Sequence, residues 1–277
     1  MQISAPIDLD GYLARIGLGL RPAADAEGLA IVQRAHRLSI PFENLDVRLG
    51  RGISLDPAHV FDKLVHRRRG GYCFEQNQLF LRALTAIGFD ARPLLARVWL
   101  GTVEVPPRTH TINLVRIDGE DWIADAGFGG SYGPPMRLFD GSEATAPDGA
   151  RFRLSRTEDY GWLLERRGDP RSTDGRSHSE DWQAQYSFTL DKVTPIDLEM
   201  SNHWTSTRPG VRMTSLSIVS LCLPSGFATL TDRHYTRRNG DQYVEADIES
   251  ATAYRLRLNF VFGIALDDVE IGGLGLF

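Results

Sequence analysis

The sequence has only two cysteines, Cys73 and Cys222, among its 277 residues. A secreted chain of this length more often carries a framework of disulfides, so the low count favours a reducing compartment. The first eight residues lack the basic segment of a signal peptide, and no apolar run approaches the roughly 20 residues needed to cross a bilayer. We therefore expect a cytoplasmic protein that does not engage a membrane.

An excess of basic residues is also absent. The chain carries 31 Lys and Arg residues against 36 Asp and Glu residues, and the net charge of −5 argues against a nucleic-acid-binding surface. No Cys and His spacing typical of zinc ligands occurs, so we expect no metal site. Hydrophobic residues make up 42% of the chain, as in globular proteins, and the length fits one large domain or a few packed subdomains.

The first ninety residues show the periodicity of helices. Asp8 is a candidate N-cap for a first helix, and residues 24–38 repeat apolar positions at helical spacing. Asp56-Pro57 is typical of a helix start. A further helix is predicted over 74–87, and Gly88 is expected to end it.

From residue 91 the pattern changes to that of strands. Strands are predicted at 94–100, 111–117, 121–124, 151–157, 161–166, 182–190, 216–223 and 227–231. Asp118-Gly119 and Asn239-Gly240 predict hairpin turns. The polar stretch 167–180 predicts an exposed loop. Helices are predicted over 195–203 and 247–262, although alternating apolar residues late in the second range also fit a strand.

Three residues stand in places that suit catalysis. Cys73 follows two glycines at the predicted start of a helix, His110 precedes a predicted strand, and Asp125 ends the strand that follows it. Because one hairpin joins their strands, His110 and Asp125 can lie side by side. A thiolate attacks a carbonyl, and a helix N-terminus or an adjacent imidazolium lowers the pKa of a cysteine. The set is therefore a candidate Cys-His-Asp triad for acyl transfer.

Each of the three residues also has an ordinary structural explanation. A buried cysteine is usually a small inert hydrophobe. A histidine at the start of a strand is often structural, and an aspartate before Ala-Gly can open a turn. The residues alone leave the catalytic and the structural interpretation about equally open.

Four motifs resemble those of the arylamine N-acetyltransferase family. They are Pro41-Phe42-Glu43-Asn44-Leu45, Arg69-Gly70-Gly71-Tyr72-Cys73-Phe74-Glu75-Gln76-Asn77, Thr109-His110-Thr111-Ile112-Asn113-Leu114-Val115, and Asp125-Ala126-Gly127-Phe128-Gly129, in which Ala126 stands where valine is common. The resemblance implies an α+β fold of several subdomains around a cysteine-protease-like Cys-His-Asp core. An N-terminal helical bundle (1–89) would carry the nucleophile, a central β-barrel (90–193) would carry the histidine and the aspartate, and an α/β lid (194–277) would follow.

The resemblance also implies a ping-pong reaction. Cys73 would take an acetyl group from acetyl-CoA as a thioester, and an arylamine, arylhydroxylamine or hydrazine would then attack it. His110 would act as the base and Asp125 would orient it, while the Cys73 backbone N–H is a natural oxyanion donor. Three alternatives remain: an amide synthase of the same family acting on a polyketide acyl chain, a thiol hydrolase or transglutaminase-like enzyme, and a non-catalytic binding protein with a relic site. The sequence indicates no oligomeric state.

Further residues are implied around the triad. The resemblance places Phe128, Gly129 and Gly130 near CoA, the acyl donor, whereas a flexible turn after a strand is the alternative. Phe42 and Trp204 would form walls of the aromatic-amine pocket, although a core position explains Phe42 equally well.

Two further residues have an expected place in the fold. Arg69 lies inside the nucleophile motif and is expected to be buried against an acid such as Glu43. Cys222 lies in an apolar strand pattern and is expected to be inert.

Overall fold

The computed structural model describes residues 7–277 of the chain. Residues 1–6, which carry most of the expectation that no signal peptide is present, lie outside the described part. In chain order come a group of helices, an eight-stranded sheet, and a smaller sheet accompanied by helices. This arrangement confirms the predicted α+β fold class.

The N-terminal region is helical, as predicted. Its elements are α1 (Leu9–Arg15), α2 (Ala26–Ser39), β1 (Phe42–Glu43), α3 (Leu45–Arg48), α4 (Pro57–Phe61), a π-helical turn (Asp62–His66) and α5 (Cys73–Ile87). The side chains of Asp8 and Asp56 cap α1 and α4, which confirms both predicted starts. Gly88 has a positive φ of 113° and ends α5 as expected. The apolar faces of these helices form one hydrophobic core.

The central region is an antiparallel sheet that forms a nearly closed barrel. Its strands are β2 (Asp90–Val98), β3 (His110–Ile117), β4 (Glu120–Ala124), β5 (Met136–Arg137), β6 (Glu143–Thr145), β7 (Arg151–Thr157), β8 (Gly161–Arg167) and β9 (Gln183–Phe188). They pair in the order β5-β4-β3-β2-β9-β8-β7-β6. The predicted hairpin at Asp118-Gly119 joins β3 and β4, and both turn residues have positive φ. A second apolar core fills the interior of this sheet.

The C-terminal region combines helices with the smaller sheet. Its elements are α6 (Pro195–Thr207), α7 (Arg212–Ser215), β10 (Ile218–Leu223), β11 (Gly226–Thr231), β12 (His234–Asn239), β13 (Gln242–Asp247), α8 (Ala251–Phe262) and α9 (Asp268–Gly273). The sheet order is β1-β10-β11-β12-β13, so a short strand from the helical region forms one edge. The region boundaries after residues 89 and 193 stay predictions, and β1 joins two of the proposed regions.

Two sequence-based expectations are wrong in part. The stretch 167–180 is not a uniformly exposed loop, because Ser172, Thr173, Asp174 and Ser177 are buried. Asp174 forms ion pairs with Arg176 and Arg212, so a distant segment covers this loop. The range 247–262 is not one helix: β13 extends to Asp247, and α8 begins only after the Ser250 side chain caps it.

A buried ionic cluster joins the helices to the nucleophile motif. Arg69 bonds to Glu43, with Nη2 2.8 Å from Oε1, which confirms the expected pair, and it also reaches Asp46. Lys63 bonds to Asp46 (2.7 Å) and to Glu75 (2.8 Å). Burial opposes the charge of Lys63, but the surrounding carboxylates raise its pKa above the usual value. Lys63 therefore stays charged, and its ion pairs tie α3, the π-helical turn and α5 together.

A chain of neutral polar groups runs through the helical core. Gln76 Nε2 donates to the Pro41 carbonyl, so its Oε1 accepts from His36 Nε2 (2.6 Å). The other ring nitrogen of His36, Nδ1, then accepts from the Tyr12 hydroxyl (2.9 Å). Burial lowers the pKa of His36 from 6.5 to about 3. The imidazole is therefore neutral in the folded protein at physiological pH.

We expect His36 to make the fold acid-sensitive. The unfolded chain binds a proton at His36 near pH 6.5, whereas the folded chain does so only near pH 3, so stability falls as pH drops below 6.5. Between about pH 8 and pH 5 this group should remove about 2 kcal/mol from the free energy of unfolding. Urea unfolding measures the free energy of unfolding at both pH values. The loss of stability from pH 8 to pH 5 should be smaller in His36→Gln than in the wild type by about 2 kcal/mol.

The control for this prediction is His59, an exposed histidine in α4. His59→Gln should keep the wild-type difference between the two pH values. An unchanged difference in His36→Gln would contradict the prediction.

Candidate active site

The turn before α5 is tightly packed and sets the start of the helix at Cys73. The Glu75 carboxylate accepts the backbone N–H of Tyr72 (3.0 Å) while Lys63 holds its other oxygen. Gly70 has to be glycine, because a Cβ there would lie 2.2 Å from the carbonyl oxygen of Pro41. These contacts place the cysteine at the first position of the helix, as the sequence predicts.

His110 and Asp125 meet across the predicted hairpin. His110 begins β3, Asp125 directly follows β4, and Nε2 of the ring lies 2.7 Å from Oδ2 of the carboxylate. Oδ1 accepts bonds from Asn77 Nδ2 (2.9 Å) and from the Gly127 N–H (2.9 Å). An ionised carboxylate only accepts, so Nε2 carries a proton, and in the neutral ring Nδ1 is then the nitrogen with the lone pair.

Asp125 is ionised although its side chain is buried. Burial pushes its pKa upward, but the electrostatic interaction with the His110 ring and the hydrogen bonds from His110 and Asn77 bring the pKa below the usual 3.8. The carboxylate can therefore hold one ring tautomer and stabilise an imidazolium.

Cys73 is buried within the protein but lines a cavity. Its side chain is 6% exposed, and Sγ lies 3.7 Å from the carbonyl oxygen of Thr109, the residue before His110. Burial raises the pKa of the Cys73 thiol, and the Asp125 charge adds to this, while backbone N–H groups of Thr111 and Phe74 oppose it. From the sequence, the helix N-terminus is expected to lower this pKa, but burial outweighs that effect. The thiol therefore keeps its proton until a base takes it.

One cavity of about 610 Å³ brings most of the predicted residues together. Six of them line it: Phe42, Cys73, His110, Phe128, Gly129 and Trp204. Gly129 packs so closely on Phe42 that a Cβ would lie 2.9 Å from the ring. The volume is typical of pockets for small organic molecules.

Two predicted residues do not line this cavity. Asp125 stands behind His110, where an orienting carboxylate is expected. Gly130 lies beyond the lining, and its carbonyl accepts the N–H of Asp174 (3.0 Å).

Sequence reasoning missed several side chains that support the triad. Asn77 bonds to Asp125, to the Thr111 carbonyl and to the Ala126 N–H. The Tyr186 ring packs 5.2 Å from the His110 ring, between centroids. Asn77 lies inside the quoted nucleophile motif and faces inward on α5, which is the one signal that would have identified it. Tyr186 lies in an ordinary alternating strand, and nothing in the sequence marks it as a neighbour of His110.

Three other features bear on function: the position of the second cysteine, metal binding and membrane-spanning helices. Cys222 is buried in β10 and is not part of the cavity lining. Within residues 7–277, no group of three His, Cys, Asp or Glu side chains could hold a metal ion. In the same part of the chain, no helix is both long enough and apolar enough to span a membrane.

Comparisons with known proteins define the class. A family model described as N-acetyltransferase matches residues 25–271. The arylamine N-acetyltransferase of Escherichia coli K12 is 36% identical over 268 residues, which cover 95% of this chain and 91% of that protein. The solved arylamine N-acetyltransferase of Salmonella typhimurium superposes with a TM-score of 0.88 at 34% identity, covering 97% of this chain and 98% of that one. A Mycobacterium marinum arylamine N-acetyltransferase solved in complex with CoA gives a TM-score of 0.86 at 28% identity over 96% of this chain and 98% of that one.

The fold and the matched family make the chain an acyltransferase. It belongs to the arylamine N-acetyltransferase family.

Proposed function

We propose that this chain transfers an acetyl group from acetyl-CoA to the nitrogen of an arylamine, arylhydroxylamine or hydrazine, through a thioester on Cys73. The observation that carries the proposal is the 2.7 Å bond between His110 Nε2 and Asp125, beside a cysteine that shares a cavity with the ring. The free cysteines fit a reducing cytoplasm.

In the first half-reaction, His110 Nδ1 takes the thiol proton as the Cys73 sulfur attacks the acetyl carbonyl. Because burial raises the pKa of the thiol, attack and proton transfer have to be coupled. The Cys73 backbone N–H, at the start of α5, is a candidate donor to the oxyanion. The bond between the acetyl carbon and the CoA sulfur then breaks, and that sulfur leaves with the proton from His110.

In the second half-reaction, the amine nitrogen attacks the thioester carbonyl. His110 takes a proton from the nitrogen and returns it to the Cys73 sulfur as the carbon–sulfur bond breaks. Asp125 stabilises the imidazolium in both halves. A thioester is activated enough to acylate a weakly basic aromatic nitrogen.

Cationic residues support an acyl donor with phosphate groups. Arg176 and Arg212 line the main cavity and also a second cavity of about 480 Å³, to which Arg171 belongs as well. An anionic CoA tail that leaves the cavity past Phe128 and Gly129 would therefore meet arginines. The Mycobacterium marinum relative, which was solved with CoA, also supports this donor.

Aromatic walls support an aromatic acceptor. Phe42 and Trp204 line the cavity that contains Cys73, and flat rings pack well against such walls. An amide synthase with a polyketide acyl chain would use the same triad. The names of the relatives favour acetyl transfer to arylamines instead.

Acetyl-CoA alone should acetylate the enzyme, since the first half-reaction needs no amine. Intact-protein mass spectrometry should show one added acetyl group, and peptide analysis should locate it on Cys73. Adding an aromatic amine should remove the label and yield the N-acetyl product. An unlabelled protein that reacts with a longer acyl thioester would favour the amide synthase, and rapid release of acetate without amine would favour a hydrolase.

A further inference from the structure

Helix α2 has a buried polar face. Gln33, His36 and Arg37 are fully or almost fully buried, and their spacing puts them on one side of the helix. His36 belongs to the chain between Tyr12 and Gln76 described above. Gln33 and Arg37 point to a different neighbour, the segment 125–133.

Gln33 and Arg37 hold both ends of this segment. Gln33 Oε1 accepts the backbone N–H of Asp125 (2.8 Å), and its Nε2 donates to the carbonyl of Gly133 (2.8 Å). Arg37 donates to the carbonyls of Ala126 (3.2 Å) and Ser131 (2.9 Å). The segment between these anchors contains Gly127, which lies against α5: a Cβ added at Gly127 would be 2.9 Å from the Cys73 Cα. Any displacement of the segment would therefore change the spacing between Asp125, His110 and Cys73.

The burial of Arg37 is unusual in itself. A buried guanidinium ordinarily has a carboxylate partner, yet no ion pair joins Arg37 to an acidic side chain in residues 7–277. Backbone carbonyls and the ring of Tyr132, whose centroid lies 5.9 Å from the guanidinium carbon, compensate the charge, and Nε has no hydrogen-bond partner in the described residues. The Arg37 charge also lowers the pKa of Asp125, although by less than His110 and Asn77 do. A costly buried cation directed at this segment indicates a role beyond packing.

We propose that Gln33 and Arg37 are positioning residues for the acyl transfer, which hold the segment 125–133 so that Asp125 stays directed at His110. This inference rests on the proposed function. Gln33 supplies neutral hydrogen bonds only, whereas Arg37 supplies hydrogen bonds and a positive charge. The groups that face Asp125 and can titrate or carry charge are Cys73 from α5, His110 from β3, Tyr186 from β9 and Arg37 from α2.

The test compares four variants of the full chain. Arg37→Met removes the charge and the donors, Arg37→Lys keeps the charge, and Gln33→Met removes only the neutral bonds. Arg15→Met is the matched control, because Arg15 is also buried and donates to two carbonyls, of Leu64 and Ser39, away from the site. The readouts are thermal stability, kcat and KM for an arylamine, and the pH dependence of Cys73 alkylation by iodoacetamide.

Arg37→Met and Gln33→Met should each lower kcat by roughly 10- to 100-fold with little change in KM, because the geometry of the triad is disturbed. Arg37→Met should also move the alkylation midpoint upward by about 0.5 pH unit or more, since a nearby positive charge is lost. Arg37→Lys should restore the midpoint, and Gln33→Met should leave it unchanged. Arg15→Met should lose stability and keep both the wild-type kcat and the midpoint.

Two outcomes would overturn the inference: wild-type kcat and midpoint in folded Arg37→Met, or an equal midpoint shift in Arg15→Met. If Arg37→Met does not fold, Gln33→Met and Arg37→Lys provide the test instead. A wild-type kcat in both of these variants would reject the positioning role. Failure of wild-type enzyme to accept acetyl from acetyl-CoA would instead overturn the proposed function. The alkylation profiles would then still report whether Arg37 acts on the Cys73 site.

Discussion

Cys73→Ala is expected to abolish acetyl transfer while leaving the fold intact. The sulfur is the atom that would carry the acetyl group, and no other thiol lines the cavity in the part of the chain that the structure describes. Loss of a nucleophile of this kind lowers turnover by on the order of 10⁵- to 10⁶-fold. Removing one buried sulfur should cost about 1 kcal/mol of stability. Steady-state assays with acetyl-CoA and an arylamine, together with thermal unfolding, would measure both.

Cys222→Ala is the matched control. Its thiol is also buried, but it lies in β10 away from the cavity lining. We expect a similar loss of stability with transfer close to wild type. Appreciable turnover in Cys73→Ala, or an acetyl label on another residue of that variant, would show that Cys73 is not the nucleophile.

Asp125→Asn is expected to lower the rate by about 10⁴-fold, although the side chain keeps its shape. Oδ1 of the carboxylate accepts from Asn77 and from the Gly127 N–H, so only an oxygen can occupy that position. The amide NH₂ of asparagine is therefore forced to face His110 Nε2. The ring would then carry its proton on Nδ1 and could no longer accept the thiol proton of Cys73.

Asp121→Asn provides the comparison for this variant. Asp121 lies on β4, four residues earlier, and its pair with Arg116 is at the surface. It should retain the wild-type rate. A rate near wild type in Asp125→Asn would remove the carboxylate from the mechanism, and a slow rate in both variants would indicate a disturbed hairpin instead.

The elements that carry the candidate triad could be predicted because their evidence is local. The glycines before Cys73, the start of a helix and the turn at Asp118-Gly119 each act within a few residues, and the structure bears out the placement of these elements. The barrel and the smaller sheet also follow alternating patterns that are visible in the chain. The direction of the Cys73 pKa was not predictable in this way, because burial depends on the packing of distant segments.

The supporting residues escaped prediction for the same reason. In a single sequence, Gln33 and Arg37 look like the exposed side of a helix, since polar residues usually are exposed. Their partners, Asp125 and Ser131, lie about ninety residues away, at separations of 92 and 94. The stretch 167–180 likewise looks like a surface loop until Arg212 is brought onto Asp174. β1 has only two residues, which is too short for any periodic signal.

The short strand β1 can pair with β10 only after most of the chain has been synthesised. Phe42 pairs with Ser220 of β10 and bridges to Gly71, and Asn44 bonds to Ile218, which lies 174 residues further along the chain. A ribosome must therefore complete most of the polypeptide before the surroundings of the thiol can close. Until then the Cys73 sulfur is present on a nascent chain that lacks its final enclosure.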